Sequence, residues 1–420
     1  MDKMADVLGR AGAWCGQNKY LSAIKNAFQN FMPLTIAGAI GVLWCNVLVN
    51  ESTGLGIFFK PIMALEFLNP AFQAVNFCTI SCITVGITLG IAQEIGVWNM
   101  GAEKAGYIPG LVGLAAWLSV TNTSHMVEGA KEAFTGIAGN ELGATGLFTG
   151  MIIGVLSVEL FCFFEKQDAL KIKMPEQVPP GVARAFEVLV PATITLIITA
   201  CIGSACYNLT GLYLNDVIKN GIQGPLGAVG ATIPGVMIIY LVIMLFWLVG
   251  IHGNNMLSAV KEALFTPLAL ENVEKFNKGE KPTNIINMYA LQMWGEFGGS
   301  GVTIGLVIAI MIFGKREDNK AIATLSLVPG LFNINETVTF GVPMVLNPIL
   351  GIPFVVAPLI TIIIGYVLTV IGFCPVACLT VPWTTPPIVF GFLACGANVM
   401  GAVTQAILIV VSTVIYVPFL

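Results

Sequence analysis

The run VPGLFNINETVTFGVPMVLNPILGIPF, Val328 to Phe354, decides how this chain is read. It is apolar enough to enter a bilayer, yet it carries Asn333, Asn335 and Glu336, and Pro329, Pro343, Pro348 and Pro353 interrupt it. Proline removes a backbone donor and clashes with the preceding turn, so no unbroken helix suits the stretch. An ionisable group inside hydrocarbon is costly and points to a functional role. Broken helices in transporters commonly frame a ligand site at mid-membrane depth. A carboxylate among amides also suits a polyhydroxylated ligand, since each sugar hydroxyl wants a donor and an acceptor. The plainer reading is an Asn/Glu network that closes helix ends.

The rest of the chain agrees on the bilayer. Of 420 residues, 56% are hydrophobic and 10% charged, where a soluble domain carries roughly 25% charge. Apolar runs lie near 28–49, 73–93, 107–121, 143–164, 186–208, 229–250, 301–314, 321–345, 352–373 and 387–416. Several are too short or too interrupted to cross as simple helices. The expectation is an all-α polytopic membrane protein with roughly eight to ten spans and one or two re-entrant pieces. A net charge of −4 without a basic stripe argues against nucleic acid. Asp2, Lys3, Asp6 and Arg10 open a weakly amphipathic stretch with no cleavable signal, suited to the membrane interface. Lys3, Arg10, Lys19 and Lys25 precede the first span and favour a cytoplasmic N-terminus.

A charged loop near 165–185, with Pro179 and Pro180, separates two halves of different character. In the first, Gly86/Gly90 and Gly150/Gly154 stand one helical turn apart, suited either to dimerisation or to packing within the chain. His125, in TNTSHMVEG, reads as an exposed loop residue. Nine of ten cysteines, all but Cys15, fall in apolar stretches, and Cys78/Cys82 and Cys374/Cys378 keep helical spacing. They read as small packing residues, and no histidine lies near enough in sequence to suggest a metal site.

Three further polar clusters join the first in the second half. FWLVGIHGNN, Phe246 to Asn255, places His252 between Gly250 and Gly253, followed by Asn254 and Asn255. QMWGEFGGSG, Gln292 to Gly301, is too rich in glycine for a sturdy span and suits a hairpin entering the membrane partway. It lacks the GK[ST] ending of a phosphate loop. VPWTTPP, Val381 to Pro387, offers the Trp383 ring beside Thr384; alone, that ring reads as an interfacial anchor.

GIHGNN (250–255), GGSG (298–301), NINETVTFGVPMVLNPILGIPF (333–354), PW (382–383) and the linker MPEQVPPGVARAFEVLVPA (174–192) together resemble the lactose/cellobiose/chitobiose family of bacterial phosphotransferase system (PTS) IIC permeases. The likeness runs over nearly the whole chain in the family's order. Thr337 stands where relatives commonly have proline, and Glu296 is unexpected before GGSG; both bear on substrate choice. The resemblance implies the PTS IIC glucose-superfamily fold, with about ten transmembrane helices and two re-entrant hairpins. It further implies a homodimer formed through the N-terminal half, 1–180, a sugar site in 181–420, and residence in the bacterial cytoplasmic membrane. His252 and Glu336 match positions that approach the hydroxyl to be phosphorylated, and Trp383 matches a ring-stacking position. Gly253, Asn254, Gly298, Gly299, Ser300, Asn333, Asn335 and Thr384 complete the implied substrate contacts. The implied partners are a disaccharide and a separate IIB protein bearing phosphocysteine, with IIA upstream; no cofactor or metal is implied. No cysteine here lies in a soluble anion-binding loop, so the chain is not expected to carry the phosphoryl group. From the residues alone, an ion-coupled secondary transporter built on Glu336 or Glu159 is the competing reading.

Overall fold

The computed structural model describes residues 2–51, 56, 59–125, 134–175, 177–342, 344, 347 and 349–420. Pro343 and Pro348, most of the loop after His125, and Glu176 of the linker lie outside the described residues, as do the side chains of Asp2, Lys3, Asp6 and Cys15. Among the described residues the chain is helical, with one pair of two-residue strands, Ser124–His125 and Phe134–Thr135. His125 is half-buried rather than exposed: its ring lies 5.6 Å from that of Phe134, and Nε2 stands 3.2 Å from the Asn122 carbonyl.

Among the described residues, five helices are long and apolar enough to cross a membrane: Lys19–Leu48, Ala144–Glu165, Pro180–Thr210, Gly351–Val370 and Val399–Phe419. Lys60–Ser81 and Ile83–Met100, bent by 42°, make a sixth if counted as one span. Ile108–Val120, Ile233–Leu248 and Ile304–Phe313 are shorter apolar helices. At 1.5 Å per residue, Ala144–Glu165 runs about 33 Å, near the thickness of a hydrocarbon core. The run expected over 321–345 is divided into Glu317–Leu331 and Glu336–Gly341, because the backbone turns left-handed at Asn333, with φ of 62°. The run expected over 387–416 divides likewise at Gly396 and Ala397, with φ of 73° and 58°.

The chain forms two compact units, neither of them continuous in sequence. One comprises Asn18–Leu34 and Cys78–Leu226. Its helices approach through glycine. A methyl group on Gly150 would stand 2.2 Å from Thr88 Oγ1, and one on Gly86 would stand 2.2 Å from the Phe31 ring. Gly90 and Gly154 likewise face Ala27 and Thr88, so these stripes pack within the unit. Trp117, Ile87, Ile91 and Phe161 are fully buried there. At one end Glu165, 1% exposed, meets Lys104 Nζ at 2.8 Å and Arg184 Nη1 at 3.0 Å. A carboxylate so deeply buried needs such cations, and Arg184 thereby ties the start of Pro180–Thr210 to the end of Ala144–Glu165. Glu159 pairs with Lys19 at 2.6 Å.

The other unit comprises Met1–Gln17, Thr35–Phe77 and Gly227–Leu420. Tyr240, Trp247, Phe265, Trp294, Phe297, Phe354 and Tyr416 fill its core. Two stretches of irregular backbone, 296–303 and 371–388, are built into it. Their buried peptide groups must find partners inside the protein. In the second stretch, the Ala377 carbonyl accepts from Asn272 Nδ2 at 3.0 Å and Asn287 Nδ2 at 3.1 Å. Tyr289 Oη meets Thr380 Oγ1 at 2.7 Å. Cys374 and Cys378 belong to this irregular stretch, so their spacing is not helical; Cys374 Sγ instead faces Cys395 Sγ at 3.9 Å.

Candidate functional site

The four polar clusters of the second half converge within this unit. Helix Ile233–Leu248 ends at Gly250, whose φ of 83° few other residues adopt. The Gly250 and Ile251 amides close back on Trp247 and Phe246, each at 3.0 Å. The chain then turns out His252 and reverses into Ser258–Asn277. A methyl on Gly253 would stand 2.0 Å from the Ile243 carbonyl, so only glycine fits that reversal.

His252 is held in one orientation. The Trp247 ring packs 4.4 Å from its own, and Nδ1 lies 3.2 Å from the Asn255 amide nitrogen. A backbone N–H can only donate, so Nδ1 is the acceptor and the neutral ring carries its proton on Nε2. That Nε2 stands 3.7 Å from Glu336 Oε1, the two side chains being 34% and 46% exposed. The separation exceeds an ordinary hydrogen bond. A hydroxyl entering beside the pair can donate to the carboxylate and accept from the imidazole, which is the geometry of an acid–base site.

The glycine-rich stretch 298–301 forms the neighbouring wall. Gly298, Gly299 and Gly301 have φ of 71°, 90° and 81°. A methyl on Gly299 would stand 2.7 Å from Asn335 Cβ, and one on Gly301 2.4 Å from the Phe354 ring. The peptide groups of this stretch are clasped from several sides. The Gly298 amide donates to Asn333 Oδ1 at 2.6 Å, Asn335 Nδ2 donates to the Ser300 carbonyl at 3.0 Å, and Tyr416 Oη donates to the Gly301 carbonyl at 2.7 Å. Asn333 Nδ2 also donates to the carbonyls of Trp383 and of Thr385, the latter at 3.0 Å. Asn335 Nδ2 gives its second bond to Thr339 Oγ1 at 3.1 Å. Both asparagines therefore commit their N–H groups to the frame. Trp383 and Thr384 are exposed beside it, Trp383 at 44%.

Asn254 and Ser300 meet there a charged pair, Lys261 and Glu296, that the sequence did not place in the site. Asn254 Nδ2 donates to Ser300 Oγ at 2.8 Å, and Lys261 Nζ donates to Asn254 Oδ1 at 3.0 Å. Lys261, 5% exposed, is also paired with Glu296 Oε1, which accepts from Tyr240 Oη at 2.6 Å. The available signal was Glu296 itself, since a carboxylate in an apolar, glycine-rich run demands a cation. Lys261 escaped notice because SAVKEALF reads as the charged face of an ordinary helix. Among the described residues, no three side chains of His, Cys, Asp or Glu come together to hold a metal ion.

The model of the family described as "Phosphotransferase system, EIIC" matches residues 25–358. The chain is similar to the PTS system oligo-beta-mannoside-specific EIIC component of Bacillus subtilis (strain 168), with 32% identity over 100% of this chain and 93% of the relative. It is similar to the PTS system cellobiose-specific EIIC component of Lactococcus lactis, with 30% identity over 99% of this chain and 96% of the relative. Among solved structures it matches the transporter ChbC, the IIC component from the N,N'-diacetylchitobiose-specific phosphotransferase system, with a TM-score of 0.88 and 30% identity over 97% of this chain and 94% of that one.

Proposed function

The chain belongs to the phosphotransferase system EIIC family, and from that membership we propose that it binds a β-linked disaccharide, cellobiose-, chitobiose- or lactose-like, and presents its 6-hydroxyl for phosphorylation. It is a multi-pass membrane permease whose working partners are a sugar and the IIB and IIA phosphotransfer proteins. The names of its relatives, which speak of oligo-β-mannoside, cellobiose and diacetylchitobiose, support a β-glycoside.

The observation that carries the reading is the His252–Glu336 pair, with a proton on Nε2 facing a carboxylate oxygen across 3.7 Å. In the proposed step O6 of the sugar attacks the phosphorus of phosphocysteine on IIB. The O–P bond forms as the S–P bond breaks, and the hydroxyl proton passes to Glu336. His252 orients the hydroxyl. Gly253, Asn254, Gly298, Gly299, Ser300, Asn333 and Asn335 form the wall against which the sugar lies, and Trp383 and Thr384 meet a pyranose face.

The finer architecture is part of the same proposal: ten transmembrane helices, two re-entrant hairpins, a homodimer through residues 1–180, a sugar-handling half over 181–420, and a cytoplasmic N-terminus in the bacterial inner membrane. Helices Met288–Gly295 and Ile304–Phe313 support the first hairpin. At about 12 and 15 Å each is half a membrane thick, and a glycine turn joins them.

Counterflow tests the reading. Purified chain in liposomes loaded with unlabelled cellobiose, without an ion gradient or IIB, should accumulate labelled cellobiose saturably. Lactose and diacetylchitobiose should compete, and Glu336→Ala should abolish exchange. Uptake that requires a proton or sodium gradient would contradict the reading.

A further inference from the structure

We propose that Lys261 and Glu296 act as a positioning pair that holds Asn254 as a hydrogen-bond donor at the sugar site, an inference that rests on the site reading above. Lysine has donors and no acceptor, so the Asn254 atom 3.0 Å from Lys261 Nζ is Oδ1, and the amide cannot turn over. Its NH2 group is thereby aimed toward the glycine wall, where one hydrogen is taken by Ser300 Oγ at 2.8 Å. The second hydrogen is what the half-buried side chain offers to a ligand. A donor fixed in this way selects an acceptor oxygen on the sugar, such as a ring or glycosidic oxygen.

Packing alone does not account for the pair. Two charges removed from water regain little over well-packed apolar residues, and Tyr240, fully buried, also has its hydroxyl turned to Glu296. Glu296 is thus held from two sides, which leaves Lys261 in place over Asn254. Neither charge touches the reacting hydroxyl; both act through the amide.

The discriminating measurement is the dissociation constant of labelled cellobiose for the full chain in detergent, with thermal unfolding as the check on folding. Lys261→Met/Glu296→Gln should bind about tenfold more weakly, the range of a hydrogen bond polarised by a charge. In an Asn254→Ala background the same two substitutions should change binding by less than about twofold, because their effect passes through the missing amide. The charge-swapped Lys261→Glu/Glu296→Lys keeps an ion pair but sets a carboxylate against Asn254, which turns the amide over; it should also bind weakly. A merely structural pair would be rescued by the swap. Equal losses in both Asn254 backgrounds, a swap that binds as the native chain does, or a neutral pair that binds normally would overturn the inference. If the native chain binds none of cellobiose, lactose and diacetylchitobiose, the site reading falls and this inference with it. If binding is lost in Glu336→Ala but unaltered in the neutral pair, the inference alone falls.

Discussion

Glycine serves opposite ends in the two units. In the unit built from 18–34 and 78–226, Gly86, Gly90, Gly150 and Gly154 lie in regular helices and let one helix press against another. In the other unit, Gly298, Gly299 and Gly301 abandon helical geometry for positive φ, and side chains close in on the bare backbone. The first arrangement needs small size. The second needs small size, a conformation that L-residues avoid, and partners for every peptide group released from a helix. Regular packing can be built from apolar residues alone, whereas buried irregular backbone brings Asn, Tyr and Thr with it to partner the groups it releases.

Gly299→Ala should break the comparison hardest. Strain at φ of 90° adds to a clash 2.7 Å from Asn335, so a loss of about 3 kcal/mol or more is expected, together with loss of sugar binding; urea unfolding and equilibrium binding would show both. Gly150→Ala meets Thr88 Oγ1 at 2.2 Å in a helical conformation and should cost about 1–3 kcal/mol. Sugar affinity of the protein that remains folded should be unchanged. If Gly150→Ala lowered affinity as Gly299→Ala does, the division of roles would fail. Asn333→Ala leaves the Gly298 amide and the carbonyls of Trp383 and Thr385 without this partner, which should cost about 1–3 kcal/mol and weaken binding through the distorted wall. Thr337→Pro should matter least. Position 337 lies in the first turn of Glu336–Gly341, where proline removes an amide that has no intrahelical partner, so stability should stay within about 1 kcal/mol.

The sequence made the clusters legible because a polar residue in an apolar run is conspicuous by itself. His252, Ser300, Asn335 and Glu336 stand out in this way, and the structure assembles their segments in one unit. Less legible was what each side chain does once assembled. Asn333 and Asn335 read as sugar ligands, yet their N–H groups close backbone gaps, because the breaks they flank release peptide groups that need partners. Asn272 and Asn287 were missed altogether. Each lies in a stretch that reads as an ordinary polar helix end or loop, and their shared partner, the Ala377 carbonyl, is 105 and 90 positions away. Long-range pairing of this kind has no local signal. The glycine stripes pointed equally to dimerisation and to packing, and only the neighbours Thr88, Phe31 and Ala27 decide for packing.

The central claim, that Glu336 takes the proton of the sugar hydroxyl while His252 orients it, is tested most directly by sugar-6-phosphate formation in membranes carrying Glu336→Gln. Phosphorylated IIB would be supplied, and cellobiose binding measured on the same preparation. The account predicts phosphorylation lowered by about 10²- to 10⁴-fold, with binding weakened far less because glutamine keeps the shape and one acceptor. Normal phosphorylation by Glu336→Gln would contradict it.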